Sequence, residues 1–323
     1  MTRVLVTGGA GYIGSIAVRR LLEQGHEPVV FDCLDRGHRD NVPPEVPFVL
    51  GDVRDTAWLT ETLRASRIDA IMHFAALAYV GESVERPLAY YHANTAGSAS
   101  LLVAMQQAGV SRLVFSSSCA TYGVPDALPI VEDTPQRPIN PYGASKLFVE
   151  RMLADASVAW PELSWVAFRY FNVCGASQDG TLGERHDPET HIVPLAIAAA
   201  RGGDPLTILG DDWPTPDGTC IRDYLHVEDV CAAHVIALDH LREGFGRVYN
   251  LGLGHGTSVL ELLAAVERVV GRPVPRRVGA RRPGDPAELW ASAERARQEL
   301  GWEPRWRDLD AMVDSAARWH AGL

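Results

Sequence analysis

Short apolar runs rich in β-branched residues alternate with longer amphipathic stretches along the first half of the chain. This alternation predicts βαβ units that build a parallel sheet. The predicted strands are residues 4–7, 28–32, 47–51, 70–74, 113–117 and 165–169. The predicted helices are residues 13–23, 58–65, 87–109 and 141–153. The repeated order of strand, helix and strand predicts an α/β fold with a doubly wound parallel sheet.

After residue 172 the composition of the sequence changes. Stretches rich in Gly, Asp and Pro, typical of loops, cover residues 175–189, 213–218 and 281–286. Between them, residues 248–251 have the pattern of a strand and residues 258–270 that of a helix, with Thr257 as its N-cap and Gly271 at its C-terminus. These features predict a smaller C-terminal substrate-binding α/β domain. We expect residues 1–173, joined by residues 221–252, to form the larger domain and residues 174–323 mainly the smaller one.

The composition narrows the classes of partner. The formal net charge of −11 over 323 residues repels nucleic acid and anionic membranes, so a phosphate-bearing ligand needs a local positive site. No apolar run approaches the roughly 18 residues of a membrane span, and the N-terminus has no targeting pattern. The five cysteines lack metal-ligand spacing, which predicts reduced thiols, a cytoplasmic location and no metal site.

The first strand leads into T-G-G-A-G-Y-I-G, where Gly8, Gly11 and Gly14 precede a predicted helix. Glycines let a backbone approach a pyrophosphate at a helix N-terminus, although a tight turn without ligand is the alternative. Asp32 ends the second strand, where a carboxylate can accept hydrogen bonds from ribose hydroxyls. Together these residues predict a Rossmann-type dinucleotide site.

Asp32 also bears on which dinucleotide binds. Its charge repels a 2′-phosphate and favours NAD over NADP, but Arg36 close by leaves NADP open. Asp52 and Val53 follow the third strand in G-D-V, where Asp52 is either a contact to the adenine amino group or a plain turn residue. The fourth strand ends on small residues that let a flat cofactor lie close, in the run Phe74, Ala75 and Ala76.

A second group of polar residues indicates proton transfer. Tyr142 and Lys146 are four residues apart at the start of a predicted helix and hence on one face. A free phenol has a pKa of about 10, but an ammonium and a positive nicotinamide favour the phenolate, so Tyr142 can take a proton from a sugar hydroxyl. Ser116 and Ser118 follow a strand at the sheet edge where ligands bind, and Ser118 can bond the same hydroxyl.

These motifs together resemble the UDP-glucose 4-epimerase family of extended short-chain dehydrogenases/reductases over nearly the whole chain. The motifs are T-G-G-A-G-Y-I-G, H-F-A-A around Phe74, V-G-E-S from Val80, S-S-S-C-A-T-Y-G from Ser116, N-P-Y-G-A-S-K from Asn140, R-Y-F-N from Arg169, D-G-T-C-I-R-D-Y from Asp217, Y-N-L-G from Tyr249 and R-R-P-G-D from Arg281.

The resemblance implies a role for each matching residue. Tyr142 is the catalytic base, Lys146 lowers its pKa and holds the nicotinamide ribose, and Ser118 assists at the hydroxyl. Further cofactor contacts are implied for Tyr12, Ile13, Asn94, Ser116 and Tyr170. Substrate contacts are implied for Asn172, His191, the diphosphate-binding arginines Arg222 and Arg282, the uridine-ribose carboxylate Asp285, and Leu289.

The implied reaction inverts C4 of a UDP-hexose through a 4-keto intermediate with tightly bound NAD. Cys119 and Ala120 stand where relatives that dehydrate or decarboxylate sugar nucleotides have acidic residues, which disfavours those reactions. Ala78 replaces a lysine that often lies near the nicotinamide. We also expect a homodimer, formed through residues 87–109 and 141–153.

Several alternatives stay open at this stage. The residue at the position of Leu289 sets how bulky a substituent at C2 of the sugar can be, and leucine is neither the bulky nor the very small choice. UDP-GlcNAc therefore stays open as a substrate. Some motifs also resemble relatives that act on UDP-xylose and UDP-arabinose. The non-epimerase alternatives are an NAD-dependent sugar-nucleotide dehydrogenase, which would release NADH, and a non-catalytic redox-sensing module, which would have no use for Tyr142 and Lys146 together.

Overall fold

The structure is a computed structural model that describes residues 1–282 and 285–322; Pro283 and Gly284 of the R-R-P-G-D motif, and Leu323, lie outside the described residues. The chain divides into two compact units. The first unit comprises Met1–Gly123, Gln136–Arg169 and Cys231–Tyr249, and the second comprises Val124–Pro135, Tyr170–Val230 and Asn250–Leu323.

The described strands are short and evenly spread along the chain. They are β1 (Arg3–Thr7), β2 (Glu27–Asp32), β3 (Phe48–Leu50), β4 (Ala70–His73), β5 (Arg112–Ser116), β6 (Ser164–Tyr170), β7 (Asn172–Cys174), β8 (Leu206–Leu209), β9 (Ile221–Arg222), β10 (Tyr224–His226), β11 (Gly246–Leu251), β12 (Thr257–Ser258), β13 (Arg276–Gly279) and β14 (Glu288–Leu289).

The described α-helices alternate with the strands through the first half of the chain. They are α1 (Tyr12–Glu23), α2 (Thr56–Ala65), α3 (Val80–Glu85), α4 (Pro87–Tyr90), α5 (Gly97–Ala108), α6 (Pro141–Ala159), α7 (Ile192–Ala200), α8 (Val227–His240), α9 (Val259–Val270), α10 (Glu294–Leu300) and α11 (Leu309–Ala321). None of them reaches the length and hydrophobicity that a bilayer-spanning segment needs, among the residues described.

A seven-stranded sheet in the order β11-β6-β5-β4-β1-β2-β3 forms the centre of the first unit. The pairs from β3 across to β6 all run parallel. Because helices cover both faces of such a sheet, the central residues of its strands are apolar, and Val4, Leu5 and Val6 have no exposed surface. This architecture confirms the predicted α/β fold with a doubly wound parallel sheet.

The strand order reverses between β1 and β4, since the chain first builds β2 and β3 on one side of β1 and later β4, β5 and β6 on the other. Helices that approach from opposite faces leave a crevice at the carboxyl ends of the strands at such a switch point, and ligands bind there in open α/β sheets. The glycine turn after β1 and the residues after β4 lie at this point.

The predicted helix at residues 87–109 is wrong in one respect. The segment begins as α4 and ends as α5, with Gly109 in the left-handed conformation at φ 75°, but Tyr91–Ala96 between them is π-helical. Where this stretch meets α5, the Ser98 hydroxyl donates to the Asn94 carbonyl oxygen at 2.6 Å. In a π-helix each backbone hydrogen bond spans five residues instead of the four of an α-helix. The spacing of apolar residues in the sequence does not reveal this difference.

Small sheets and a helical layer make up the second unit. Its sheets are β10-β7, β12-β9-β14 and β13-β8. Its core brings together apolar side chains of α7, α9 and α11, including Ile197, Leu263 and Val313. Helix α9 confirms the predicted helix and its C-terminal glycine, Gly271, but the predicted N-cap Thr257 is wrong: it lies in β12, and Ser258 caps the helix in a capping box with Glu261.

Candidate active site

The glycine turn joins β1 to α1 by close backbone contacts. Gly8 adopts φ +73°, and a Cβ there would lie 2.6 Å from the Ala75 nitrogen; a Cβ on Gly14 would lie 2.1 Å from the Gly8 oxygen. A Cβ on Gly11 would meet only the Gly8 oxygen, at 3.3 Å. The fold therefore demands Gly8 and Gly14, whereas the small residue at Gly11 leaves room beside the first amides of α1, where a pyrophosphate fits.

Asp32 lies at the carboxyl end of β2, directly beside this turn. Its carboxylate accepts hydrogen bonds from the backbone amides of Ala10 at 3.0 Å and Leu34 at 2.8 Å. Burial raises the pKa of Asp32, and the two amides oppose that rise. Each carboxylate oxygen can accept a second hydrogen bond, so the group suits a ribose diol.

Arg36 is held by acidic partners of its own. Its guanidinium lies 3.1 Å from a Glu82 oxygen and 3.9 Å from Asp35, and it stacks over the Tyr79 ring at 5.0 Å from the centroid. A 2′-phosphate would have to compete with two carboxylates for this arginine. The arrangement therefore favours NAD over NADP.

The other predicted adenine-side and nicotinamide-side residues have partners within the chain. Asp52 is paired with Arg54, whose hydrogen bonds lower the pKa of that carboxyl. Asn94 is buried and uses its whole amide: its oxygen accepts from the Leu77 amide at 2.8 Å, and its nitrogen donates to the Ser145 hydroxyl at 2.9 Å. Asn94 thus fixes the loop after β4 against α6.

Tyr142 is positioned by the way α6 begins. Asn140 caps the helix by accepting from the Gly143 amide at 2.8 Å, and Pro141 occupies the first turn. A Cβ on Gly143 would lie 2.2 Å from the Ala120 oxygen, so only glycine lets this turn contact the segment after Ser118. The helix start and the end of β5 therefore hold Tyr142 and Ser118 near each other, close enough for the Ser118 hydroxyl to lower the pKa of the phenol.

Lys146 lies one turn further along α6 and is 3% exposed. Its Nζ donates to the Ser116 carbonyl oxygen at 2.7 Å and lies 5.9 Å from the centroid of the Tyr142 ring. Burial lowers the pKa of Lys146 to about 7, and Glu150 opposes that change. Burial raises the pKa of Tyr142 to about 12, and the hydrogen bond with Ser118 opposes the rise. The phenol therefore needs added positive charge before it can act as a base.

A buried ion pair between Glu150 and Arg169 lies next to the segment that carries Ser116 and Ser118. The sequence did not assign it a role. Glu150 accepts from the Arg169 guanidinium at 2.6 Å, from the Gln136 amide at 3.0 Å, and from the Ser117 hydroxyl. Arg169 also donates to the Tyr122 hydroxyl at 2.8 Å. Ser117 lies between Ser116 and Ser118, so the pair fixes the strand end that carries both. The spacing of Glu150 from Lys146, one helical turn, was the available signal.

In the second unit, the predicted uridine and diphosphate residues lie together. Arg222 in β9 approaches Asp285 at 3.9 Å, and Arg282 approaches the same carboxylate at 4.0 Å. Leu289 in β14 pairs in register with Arg222. Arg281 does not join this group: its guanidinium donates to the Asp212 carboxylate at 2.6 Å. Two guanidinium groups and a carboxylate thus form one local site in a chain of net negative charge.

The remaining predicted site residues lie at separate places in the fold, each with its own contacts. Asn172 lies in β7, and its backbone N–H donates to the backbone carbonyl oxygen of Asp223 at 3.0 Å. His191 is the N-cap residue of α7, and its Nδ1 contacts the Glu184 carboxylate. Tyr170 ends β6 and is 8% exposed, as is Tyr12 at the start of α1. The Ile13 carbonyl oxygen accepts from the Cys231 thiol at 3.4 Å, and Phe74 contacts the ring of His234.

Comparison with known proteins identifies the family of the chain. Residues 4–252 match the NAD dependent epimerase/dehydratase family. The chain is 49% identical to the UDP-glucose 4-epimerase of Lactobacillus helveticus over 98% of this chain and 97% of that one.

Two solved structures are similar throughout. That of UDP-glucose 4-epimerase from Brucella ovis in complex with NAD is 51% identical, with a TM-score of 0.94 over 98% of both chains. That of UDP-glucose 4-epimerase from Stenotrophomonas maltophila, with bound NAD and formylated UDP-arabinopyranose, is 42% identical, with a TM-score of 0.95 over 100% of this chain and 98% of that one. The resemblance inferred from the motifs is confirmed: the chain belongs to the NAD-dependent epimerase/dehydratase family and, within it, to the UDP-glucose 4-epimerases of the extended short-chain dehydrogenase/reductase type.

Proposed function

We propose that this protein interconverts UDP-glucose and UDP-galactose by inverting C4 of the hexose. The observation that carries the proposal is the group formed by Tyr142, Ser118 and Lys146, at the carboxyl end of a sheet whose glycine turn and Asp32 suit NAD. The similarity to UDP-glucose 4-epimerases over nearly the full length supports the same reaction.

Tyr142 serves as the base and the acid of this reaction. It takes the proton of the C4 hydroxyl while C4 is oxidised, and it returns the proton when the 4-keto sugar is reduced from its other face. NAD, when bound, supplies the hydride acceptor and donor together with a positive nicotinamide ring. Lys146 adds its own charge near the phenol, and both charges lower the raised pKa of Tyr142.

Ser118 and the buried residues around it keep the reacting hydroxyl in place. The Ser118 hydroxyl lies near the Tyr142 phenol and is suited to the same substrate oxygen. Asp32 holds the adenosine ribose, and Lys146 holds the nicotinamide ribose. Because the oxidation and the reduction of C4 cancel within one cycle, the reaction needs no second substrate, and the cofactor would stay bound between the two steps.

Arg222 and Arg282 hold the diphosphate, and Asp285 accepts hydrogen bonds from the uridine ribose. Guanidinium forks bind phosphate oxygens through two parallel hydrogen bonds. This places the binding energy on the UDP part, away from C4, so the hexose can turn over between oxidation and reduction. In this proposal the larger domain binds NAD and the smaller one binds the UDP-sugar.

The proposal is tested by proton NMR of the purified protein with UDP-galactose and no added cofactor. We expect the anomeric signal of UDP-glucose to appear in wild type. Tyr142→Phe removes the proton-transfer group and should reduce turnover by at least about a hundredfold. Tyr91→Phe, a tyrosine on the π-helical segment, is the matched control and should retain turnover. Full activity of Tyr142→Phe would contradict the catalytic assignment, and net formation of NADH would indicate a dehydrogenase.

UDP-arabinose and its C4 epimer UDP-xylose are a second substrate pair for the same site. The observation in favour is the similar Stenotrophomonas structure that holds formylated UDP-arabinopyranose. Leu289 is 7% exposed and pairs with Arg222, so it adjoins the residues assigned to UDP. The same NMR assay with UDP-xylose and UDP-GlcNAc ranks the substrates by kcat/KM.

We further propose a homodimer in the cytoplasm. The five cysteines are thiols outside any disulfide, as expected in a reducing compartment. The segment from α4 to α5, together with α6, exposes apolar side chains, among them Leu88 at 80%, Val103 at 46% and Phe148 at 41%. Such side chains are suited to an interface between two copies.

A further inference from the structure

A cluster of two histidines and two glutamates lies in the second unit, in the loop before α7. Glu184, His186, Glu189 and His191 each offer one nitrogen or oxygen atom, and these four atoms lie within 4.8 Å of one another. The residues form the pattern E-x-H-x-x-E-x-H within eight positions. The prediction of no metal ion rests on cysteine spacing and takes no account of this pattern.

We propose that these four residues form a structural zinc site, in which the His191 side chain is a zinc ligand rather than the substrate contact that the resemblance implies. Four donors from one short segment, two imidazole nitrogens and two carboxylate oxygens, are a set that Zn²⁺ accepts in tetrahedral geometry. The two carboxylates balance the two charges of the ion when both imidazoles are neutral. Four protein ligands leave no open position for water, which is typical of structural rather than catalytic zinc.

The distances suit an ion of this size. His186 Nδ1 lies 3.3 Å from a Glu184 oxygen and 3.6 Å from a Glu189 oxygen. Ligands about 2.1 Å from a tetrahedral zinc lie about 3.4 Å from one another. His191 Nδ1 contacts the same Glu184 oxygen and needs only to move outward, and with a side chain 45% exposed it has room to do so. The two imidazole rings are 5.2 Å apart and nearly perpendicular.

One contact from outside the cluster and one backbone contact within it hold the ligand positions. The Trp319 indole nitrogen donates to the Glu184 carbonyl oxygen at 3.0 Å, and its ring fills the space that a Cβ on Gly183 would need. Glu189 accepts from the backbone amide of His191 at 2.8 Å. Such second contacts orient metal ligands before the ion arrives. Zinc here would tie the loop to the start of α7.

The test is zinc binding by the full-length protein. Protein dialysed against a chelator and then into metal-free buffer is equilibrated with ZnCl₂, and bound zinc is measured by elemental analysis. We expect one zinc per chain. Glu184→Gln and His186→Gln each remove a ligand and should weaken the affinity at least about tenfold. His255→Gln, which changes an exposed histidine of the same unit, should leave it unchanged.

Replacement by Co²⁺ identifies the ligand atoms. A site of nitrogen and oxygen donors gives visible d–d bands without the sulfur-to-cobalt charge-transfer band in the near ultraviolet that cysteine ligands such as the exposed Cys33 would produce. Circular dichroism confirms that each variant is folded, and His186→Gln carries the test if Glu184→Gln is not. Less than one zinc per chain, unchanged affinity in the folded variants, or a thiolate band would overturn the proposal. None of these outcomes depends on the epimerase reaction.

Discussion

Lys146 and Glu150 lie one turn apart on α6, and the burial of both makes their charges interdependent. Burial lowers the pKa of Lys146, while the nearby Glu150 carboxylate opposes that change. Glu150 is in turn neutralised by Arg169, with both side chains only 5% exposed. A buried ion pair contributes little net stability when intact, but removal of one partner leaves an uncompensated charge. Glu150 therefore influences both the fold and the charge beside Tyr142.

We expect Glu150→Gln to reduce the free energy of unfolding by about 3 kcal/mol, because Arg169 loses its buried partner. The variant should also lower the pKa of Lys146 further. If protonated Lys146 is the active form, the alkaline limb of the kcat/KM profile moves to lower pH. Urea unfolding and a pH series of the NMR assay measure the two effects.

Asp314→Asn is the matched control, since Asp314 and Arg318 form a pair on a helix surface with side chains 54% and 52% exposed. Such pairs contribute about 0–1 kcal/mol. A loss in Glu150→Gln no larger than in this control, together with an unchanged pH profile, would show that the buried pair positions nothing.

At the scale of elements, the accuracy of prediction followed the strength of the apolar pattern. The strands of the central sheet were predicted within one or two residues at most ends, because burial on both faces makes them continuously apolar. Helix ends were less certain: α6 extends to Ala159, beyond the predicted residue 153. The π-helical segment and the Arg169 pair depend on tertiary contacts distant in sequence, which local periodicity does not contain.

The N-cap of α9 can be tested by the stability of two variants, one at the observed cap residue and one at the residue predicted from sequence. Ser258 accepts from the Glu261 amide at 3.0 Å, while the Glu261 carboxylate accepts from the Ser258 amide at 2.7 Å. Ser258→Ala should therefore cost about 1 kcal/mol of unfolding free energy. Thr257→Ala, at the position predicted from sequence, should cost less because Thr257 does not cap the helix. Equal losses in thermal unfolding of the two variants would contradict the assignment of the cap.

At the scale of the whole molecule, local motifs predict the chemical groups, and the sheet topology explains why they lie close together. Tyr142, Lys146 and Ser118 follow local motifs, and their proximity follows from parallel strands ending at one edge. The first unit also contains residues 231–249, and β11 lies beside β6 at the edge of its sheet. That pairing joins segments far apart in the chain, within the residues 221–252 that we expect from the sequence to join the larger domain.

Exposed apolar side chains on the segment from α4 to α5 and on α6 lead to a prediction about assembly. Phe148 is 41% exposed and contacts the ring of Tyr91, 5.9 Å away, so the two rings form a small apolar surface in water. If two copies bury this surface, light scattering should give twice the 35.2 kDa chain mass for wild type. Phe148→Asp should shift the protein toward single chains, because it buries a charge at the interface without a partner.

Val158→Asp is the matched control on the same helix, since Val158 is 85% exposed and lies beyond the predicted interface residues. A wild-type mass of one chain, or equal dissociation by both variants, would remove α6 from the interface.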